Sequence, residues 1–113
     1  MSKQAHDKNV YIIHGFDASS TRHWFPWLNK FLTDKGVTTE SIDMPTPAQP
    51  DSKTWISFLS EHLASITSST YFVSHSLGCI TTLRYLQTVA APIGGVVLVS
   101  GFDPVDSRLF VTR

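Results

Sequence analysis

Ser76 lies in Tyr71–Phe72–Val73–Ser74–His75–Ser76–Leu77–Gly78–Cys79, where an apolar, β-prone run enters a Ser-x-Ser-x-Gly turn and passes at once into a helix-like run from Cys79 to Gln87. Strand, sharp turn and helix form the junction at which a serine becomes a nucleophile. The serine stands at the apex of a strained turn, and small residues on either side of it let strand and helix approach closely. Ser74 occupies the first small position, where the usual pattern has glycine, and Gly78 keeps the second. The competing reading is an ordinary helix N-cap, since serine is common there and a short pattern with one substitution arises by chance.

Acyl transfer through a serine needs a base to take the hydroxyl proton and N–H donors for the developing oxyanion. The backbone N–H of Leu77 follows the serine at a helix start and is one such donor. The second is expected from the loop after the first strand, at Phe16 or its neighbour, with Gly15 letting the backbone turn close to the substrate. His14–Gly15 as a mere strand-end turn is the bland alternative.

The base is the difficulty. A hydrolase of this design runs Ser, acid, His along the chain, yet His6, His14, His23, His62 and His75 all precede Ser76. His75 is adjacent in sequence, where the turn points it away from the hydroxyl. His14 is the nearest substitute, although its side chain more naturally orients the first loop. Asp103 and Asp106 follow the fourth strand and read as turn residues.

The elements that must position these groups alternate. Val10–Ile13 is a continuous apolar run, as in a buried parallel strand. Trp24, Trp27, Leu28, Phe31 and Leu32 fall at helical spacing, a stripe expected to pack into the core, with Pro26 in the first turn and Gly36 closing the helix. Val37–Met44 is a weaker strand, and Pro45–Pro50 a proline-rich connection, read as a linker rather than a cleft rim. Asp51 or Ser52 caps a helix with Trp55, Ile56, Leu59, Leu63 and Ile66 on its apolar face. The helix after the serine turn carries Ile80, Leu83, Leu86 and Val89 and stops at Ala91–Pro92, and Val96–Ser100 is a fourth strand. The order β-α-β-α-β-α-β implies an α/β fold: a three-layer α/β/α sandwich over a parallel four-strand sheet in the order 2-1-3-4, which sets the ends of the first and third strands side by side.

At 113 residues the chain is one domain at most, with 42% hydrophobic and 16% charged residues, an ordinary globular composition. Nine basic and nine acidic residues cancel without clustering, so neither nucleic acid nor an anionic membrane is an expected partner. One cysteine, Cys79, forms no internal disulfide and reads as a small packing residue. No signal-peptide pattern opens the chain and the longest apolar runs are about five residues, so a cytoplasmic protein is expected. Residues 1–8 read as a loose leader. No cofactor and no metal are expected.

The chain resembles the N-terminal part of the small serine hydrolases of the RBBP9/YdeN family, in the α/β-hydrolase superfamily, and most closely its YdeN-like bacterial branch. The resemblance is carried by Val10–Phe16, Ser19–Thr21, His23–Leu28, Met44–Pro47, Gln49–Pro50, Val73–Cys79 and Val97–Phe102. It implies that Ser76 is the nucleophile and that His14–Gly15–Phe16 forms the oxyanion side, with His75 and Gly78 in support. It also implies a truncated hydrolase, about three-fifths of the usual domain, because the family's acid and histidine fall in a part without counterpart here. Residues 9–103 are then a partial hydrolase domain and 104–113 a divergent tail.

The implied function is hydrolysis of a small ester or acyl substrate, impaired for want of the downstream acid and histidine. Its rival is a non-catalytic interaction protein. The fourth strand is left as an apolar edge that invites a homodimer or a complementary fragment, with Phe102, Leu109, Phe110 and Val111 adding apolar surface. A flavodoxin-like anion-binding domain is the weakest reading, since no glycine-rich phosphate loop follows the first strand.

Overall fold

The structure, a computed structural model, describes residues 8–63 and 65–99. His6, Phe102, Asp103, Asp106, Leu109, Phe110 and Val111, and with them residues 1–7 of the expected leader and the whole of the expected tail, lie outside the described residues. The elements are β1 (Asn9–Ile13), α1 (Phe25–Asp34), β2 (Thr38–Ile42), α2 (Ser52–His62), β3 (Thr70–His75), α3 (Leu77–Gln87) and β4 (Gly95–Val99). All strand pairs are parallel and the sheet order is β2-β1-β3-β4, as the alternation implied. Among the described residues no helix is long and apolar enough to cross a membrane.

Right-handed crossovers decide which face each helix covers. The step from β1 to β2 runs one way along the sheet and the steps β2 to β3 and β3 to β4 run the other. The helix α1 therefore lies on one face, where Asn29 donates to Ser41 of β2, and α2 and α3 lie together on the opposite face. The main core forms under α2 and α3: Ile13, Ile42 and Phe72 from the sheet meet Trp55, Leu59 and Tyr85 from the helices. Each helix starts where the sequence signals it. Pro26 sits in the first turn of α1, Asp51 caps α2 by accepting from the Thr54 N–H at 2.9 Å, and Gly36, at φ 88°, follows α1 in a left-handed conformation that glycine adopts freely.

One expected core face is corrected. Trp27 and Phe31 of α1 are 65% and 44% exposed, while Phe25 is the residue that α1 buries fully. The sheet lies under the Phe25 side of the helix, and the Trp27–Phe31 side has nothing over it among the described residues. In α3 the buried side is Gly78, Cys79, Thr81, Thr82 and Tyr85, and Ile80, Leu83, Leu86 and Val89 are only partly buried. Small side chains face the sheet because α3 begins close against it, so the bulkier aliphatic residues are turned to its flanks. Leu59→Ala, in the core, should therefore cost about 2–5 kcal/mol, and Leu83→Ala only about 1 kcal/mol. Urea-unfolding midpoints of the two variants would reverse that order if the aliphatic stripe of α3 were its core side.

Candidate active site

The parallel register aligns Ile13 with Ser74, so the carboxyl ends of β1 and β3 stand next to each other. One residue beyond β3 the chain reverses at Ser76, with φ 56° and ψ −127°. A serine held there costs about 1–3 kcal/mol and persists only when its surroundings impose it. Two bonds do so. The Ser76 N–H donates to the Val99 carbonyl at the end of β4, at 2.9 Å, and the Ser76 carbonyl accepts from the Cys79 N–H at 2.9 Å. Although Ser76 occupies the N-cap position of α3, its side chain makes no capping bond. The hydroxyl is thus left out of the helix cap that an ordinary N-cap serine would form.

Two glycines set the closeness of this junction. A Cβ on Gly78 would lie 2.5 Å from the His14 carbonyl oxygen and 2.6 Å from that of Ile13. A Cβ on Gly15 would lie 2.9 Å from the Ser76 Cβ and 3.0 Å from the Leu77 nitrogen. The loop after β1 is thereby brought against Ser76 and Leu77, as an oxyanion loop must be. Among the described residues, neither the Leu77 N–H nor the Phe16 N–H donates to a protein acceptor. Phe16 is 59% exposed beside this junction.

Ser74, in the place of the pattern's first glycine, is fully buried, and its hydroxyl shares a 2.6 Å bond with Thr82 of α3. The substitution adds a polar tie between strand and helix without leaving a polar atom unpaired. Sequence reasoning missed this tie; Thr82, two helical turns on, carried the only signal. Cys79 is buried as expected of a packing residue, and its desolvated thiol is pushed up to about 11, which leaves it protonated and unreactive.

Among the described residues no histidine hydrogen-bonds Ser76 Oγ, and His14, His62 and His75 are engaged elsewhere. His14 is 1% exposed; its Nε2 accepts from the Met44 N–H at 2.9 Å, and Nδ1 therefore carries the proton it donates to the Gly15 carbonyl at 2.8 Å. With both nitrogens occupied, the imidazole braces the first loop and has no lone pair for a serine proton. Its edge also meets the Trp55 ring, at 5.7 Å between centroids. His75 turns into an aromatic cluster at the start of α1, 5.1 Å from His23 and within 6 Å of Trp24 and Phe25. His62 bonds Glu40 at 2.6 Å, between α2 and β2.

The surrounding loops are tied to one another. Ser20 donates through its N–H and its hydroxyl to the two Asp43 carboxylate oxygens, at 2.7 and 2.9 Å. The Asp17 N–H donates to the Pro47 carbonyl at 2.7 Å, and the Trp55 indole N–H to the Pro45 carbonyl at 2.7 Å. The proline-rich connection is therefore fixed to the core on one side and to the loop bearing Phe16 on the other.

Two outcomes follow from this geometry. Gly78→Ala should lower stability by about 3 kcal/mol, the upper range for overpacking, because the groups it strikes are backbone carbonyls; a urea midpoint within error of wild type would exclude that close approach. Burial, more than any other cause, holds the His14 and His75 imidazoles below the ordinary 6.5, and for His75 the nearby His23 adds to it. A depressed histidine binds fewer protons folded than unfolded, so stability is full above 6.5 and is lost as pH falls below it. Melting temperature should accordingly be flat above pH 7 and fall on acidification, with His14→Gln reducing the slope.

Comparison with known proteins gives the family. The chain matches the serine hydrolase family over residues 10–111. It is 48% identical over 97 residues to the protein named "Putative hydrolase YdeN" of Bacillus subtilis (strain 168), a match that takes in 84% of this chain and 51% of that protein. The crystal structure of the ydeN gene product from B. subtilis superposes with a TM-score of 0.77 at 46% identity, covering 80% of this chain and 50% of the other. The chain thus spans about half the length of the relatives it matches. With the match running from β1 through the Ser76 turn and past β4, this chain belongs to the serine hydrolase family.

Proposed function

We propose that Ser76 is the nucleophile of acyl transfer from small carboxylic esters or related acyl compounds, with the N–H groups of Leu77 and Phe16 facing the developing oxyanion. The observation that carries this reading is the strained Ser76 backbone, whose hydroxyl makes no helix-capping bond and whose Cβ lies against the Gly15 loop. The hydroxyl oxygen bonds to the substrate's carbonyl carbon while the carbonyl electron pair moves onto oxygen. Collapse of that intermediate expels the alcohol, and water then releases the acid. His14, His75 and Gly78 support the site as brace, packing group and close contact.

A base must take the Ser76 proton, and among the described residues no side chain hydrogen-bonds its hydroxyl. We infer that the reaction of this chain is slow with the described residues alone: loss of the histidine from a triad costs on the order of 10⁶ in kcat, the residual rate coming from the oxyanion hole and binding. The second reading, a non-catalytic interaction protein, is supported by the apolar sheet face that the described residues leave uncovered.

Covalent labelling by a fluorophosphonate, read by intact mass, tests the assignment. Slow labelling of the folded wild type, abolished in Ser76→Ala, is expected. His14→Ala should lower stability without abolishing labelling, since its imidazole braces the loop rather than acting as base. A folded sample that stays unlabelled, or labelling that persists in Ser76→Ala, would overturn the nucleophile assignment.

A further inference from the structure

Backbone strain among the described residues gathers at the carboxyl ends of the strands. The non-glycine residues with positive φ are Asp17 (51°), His23 (55°), Thr46 (42°) and Ser76 (56°). Asp17, Thr46 and Ser76 follow β1, β2 and β3 respectively, at the end of a parallel sheet where active groups gather. Asp17 and Thr46 flank one hydrogen bond, from the Asp17 N–H to the Pro47 carbonyl at 2.7 Å. Threonine is β-branched, and such a residue at positive φ is a genuine outlier that persists only where its surroundings impose it. The Asp17 side chain is exposed and its carboxylate makes no hydrogen bond among the described residues, so the fold uses its backbone and not its charge.

The connection after β2 grips the loop after β1 at two points. The Met44 N–H donates to His14 Nε2 at 2.9 Å, and the Pro47 carbonyl accepts from the Asp17 N–H. Between His14 and Asp17 lie Gly15, which has no room for a methyl group beside Ser76 and Leu77, and Phe16, whose N–H has no protein acceptor among the described residues. The connection is itself anchored, because the indole N–H of Trp55, a core residue, donates to the Pro45 carbonyl at 2.7 Å. We propose that Met44–Pro47 positions the oxyanion hole and acts through Asp17: the left-handed turn at Asp17 presents its N–H to Pro47 and thereby fixes the preceding Gly15–Phe16 peptide beside Ser76. This role presupposes Ser76 as the nucleophile and Phe16 as a donor, and gives that site a positioning residue on each of two loops.

A donor that must turn toward a developing oxyanion loses part of its value to reorganisation, whereas one held in place beforehand does not. With a hydrogen bond on either side, the Gly15–Phe16 peptide has little freedom to rotate. Aspartate and asparagine tolerate a left-handed φ better than other non-glycine residues, and β-branched residues tolerate it least. Valine at position 17 therefore draws the backbone towards extended φ, withdraws the N–H from Pro47 and turns the Phe16 peptide, while the sheet and the His14 brace stay in place. A linker that only joined β2 to α2 would need neither a strained Thr46 nor a bond to the opposite loop.

Saturation kinetics of fluorophosphonate labelling on the full chain separate this role from a merely structural one. Asp17→Val should lower the maximal labelling rate about 10- to 100-fold, the range for a misplaced or weakened oxyanion donor, and leave the half-saturating probe concentration unchanged. Asp17→Asn, which keeps the turn and removes the charge, should rescue the rate to near that of wild type. Asp17→Ala should fall between them, and it carries the test if valine impairs folding. Rates are referred to the folded fraction from urea unfolding, so lost stability alone changes none of them. If wild type labels and Asp17→Val and Asp17→Ala label equally fast, the positioning role is overturned and the nucleophile reading stands. The same holds if Asp17→Asn is as slow as Asp17→Val, which would assign the effect to the carboxylate. A folded wild type that does not label removes both.

Discussion

The contact between Gly78 and the carbonyls of Ile13 and His14 is the constraint on which the remaining geometry rests. It is backbone against backbone, with no room for even a methyl group. Because α3 starts that close to the end of β1, its first turns can face the sheet only with small side chains, which is why Cys79, Thr81 and Thr82 fill positions that a looser helix would give to leucine. The same closeness brings Gly15 under Ser76 and Leu77. It also leaves the chain no wider turn between β3 and α3, so Ser76 takes a backbone conformation that L-residues avoid, held by the Val99 carbonyl and the Cys79 N–H. The strain is local, and the bonds that stabilise it come from elements on either side.

His14 completes this frame from below. A buried imidazole with two fixed partners joins the end of β1, the Gly15 carbonyl and the Met44 N–H at the end of β2. Desolvation keeps it neutral, and neutrality is what lets one nitrogen accept while the other donates. Protonation would replace the Met44 N–H bond by two donors facing each other. The residue nearest in type to a catalytic base is thus committed to holding the loop, and the same bonds that make it a good brace remove it as a base.

Much of this was legible in the sequence because the signals were backbone signals. Continuous apolar runs at Val10–Ile13 and Val96–Val99 marked strands covered or meant to be covered on both faces, and their alternation with helical spacing gave the parallel order. Gly78, two residues after Ser76, announced the close approach. What failed was the assignment of one face. The Trp24–Phe31 stripe has the period of a core-facing helix, and periodicity records that a face is apolar without recording what lies over it. In α3 the side buried against the sheet is chosen by size rather than by hydrophobicity, so its aliphatic residues do not mark that side. The bond between Ser74 and Thr82 was hidden for another reason: two hydroxyls eight residues apart have no pattern until strand and helix are folded together.

Among the described residues the groove over β3 and β4 is uncovered and the Ser76 hydroxyl has no hydrogen bond, and both features meet at the end of β4. A parallel sheet is stable with helices on both faces, and here α2 and α3 cover one face while α1 covers only the half of the other that lies over β1 and β2. The relatives that share this half of the fold are about twice as long. Whatever fills the groove over β3 and β4 therefore comes to rest beside Val99, whose carbonyl holds the Ser76 turn, and beside His75, whose ring packs on the same face. Covering that face and altering the surroundings of the serine are, by this geometry, the same event: the strand end that lines the groove is also the support of the strained turn.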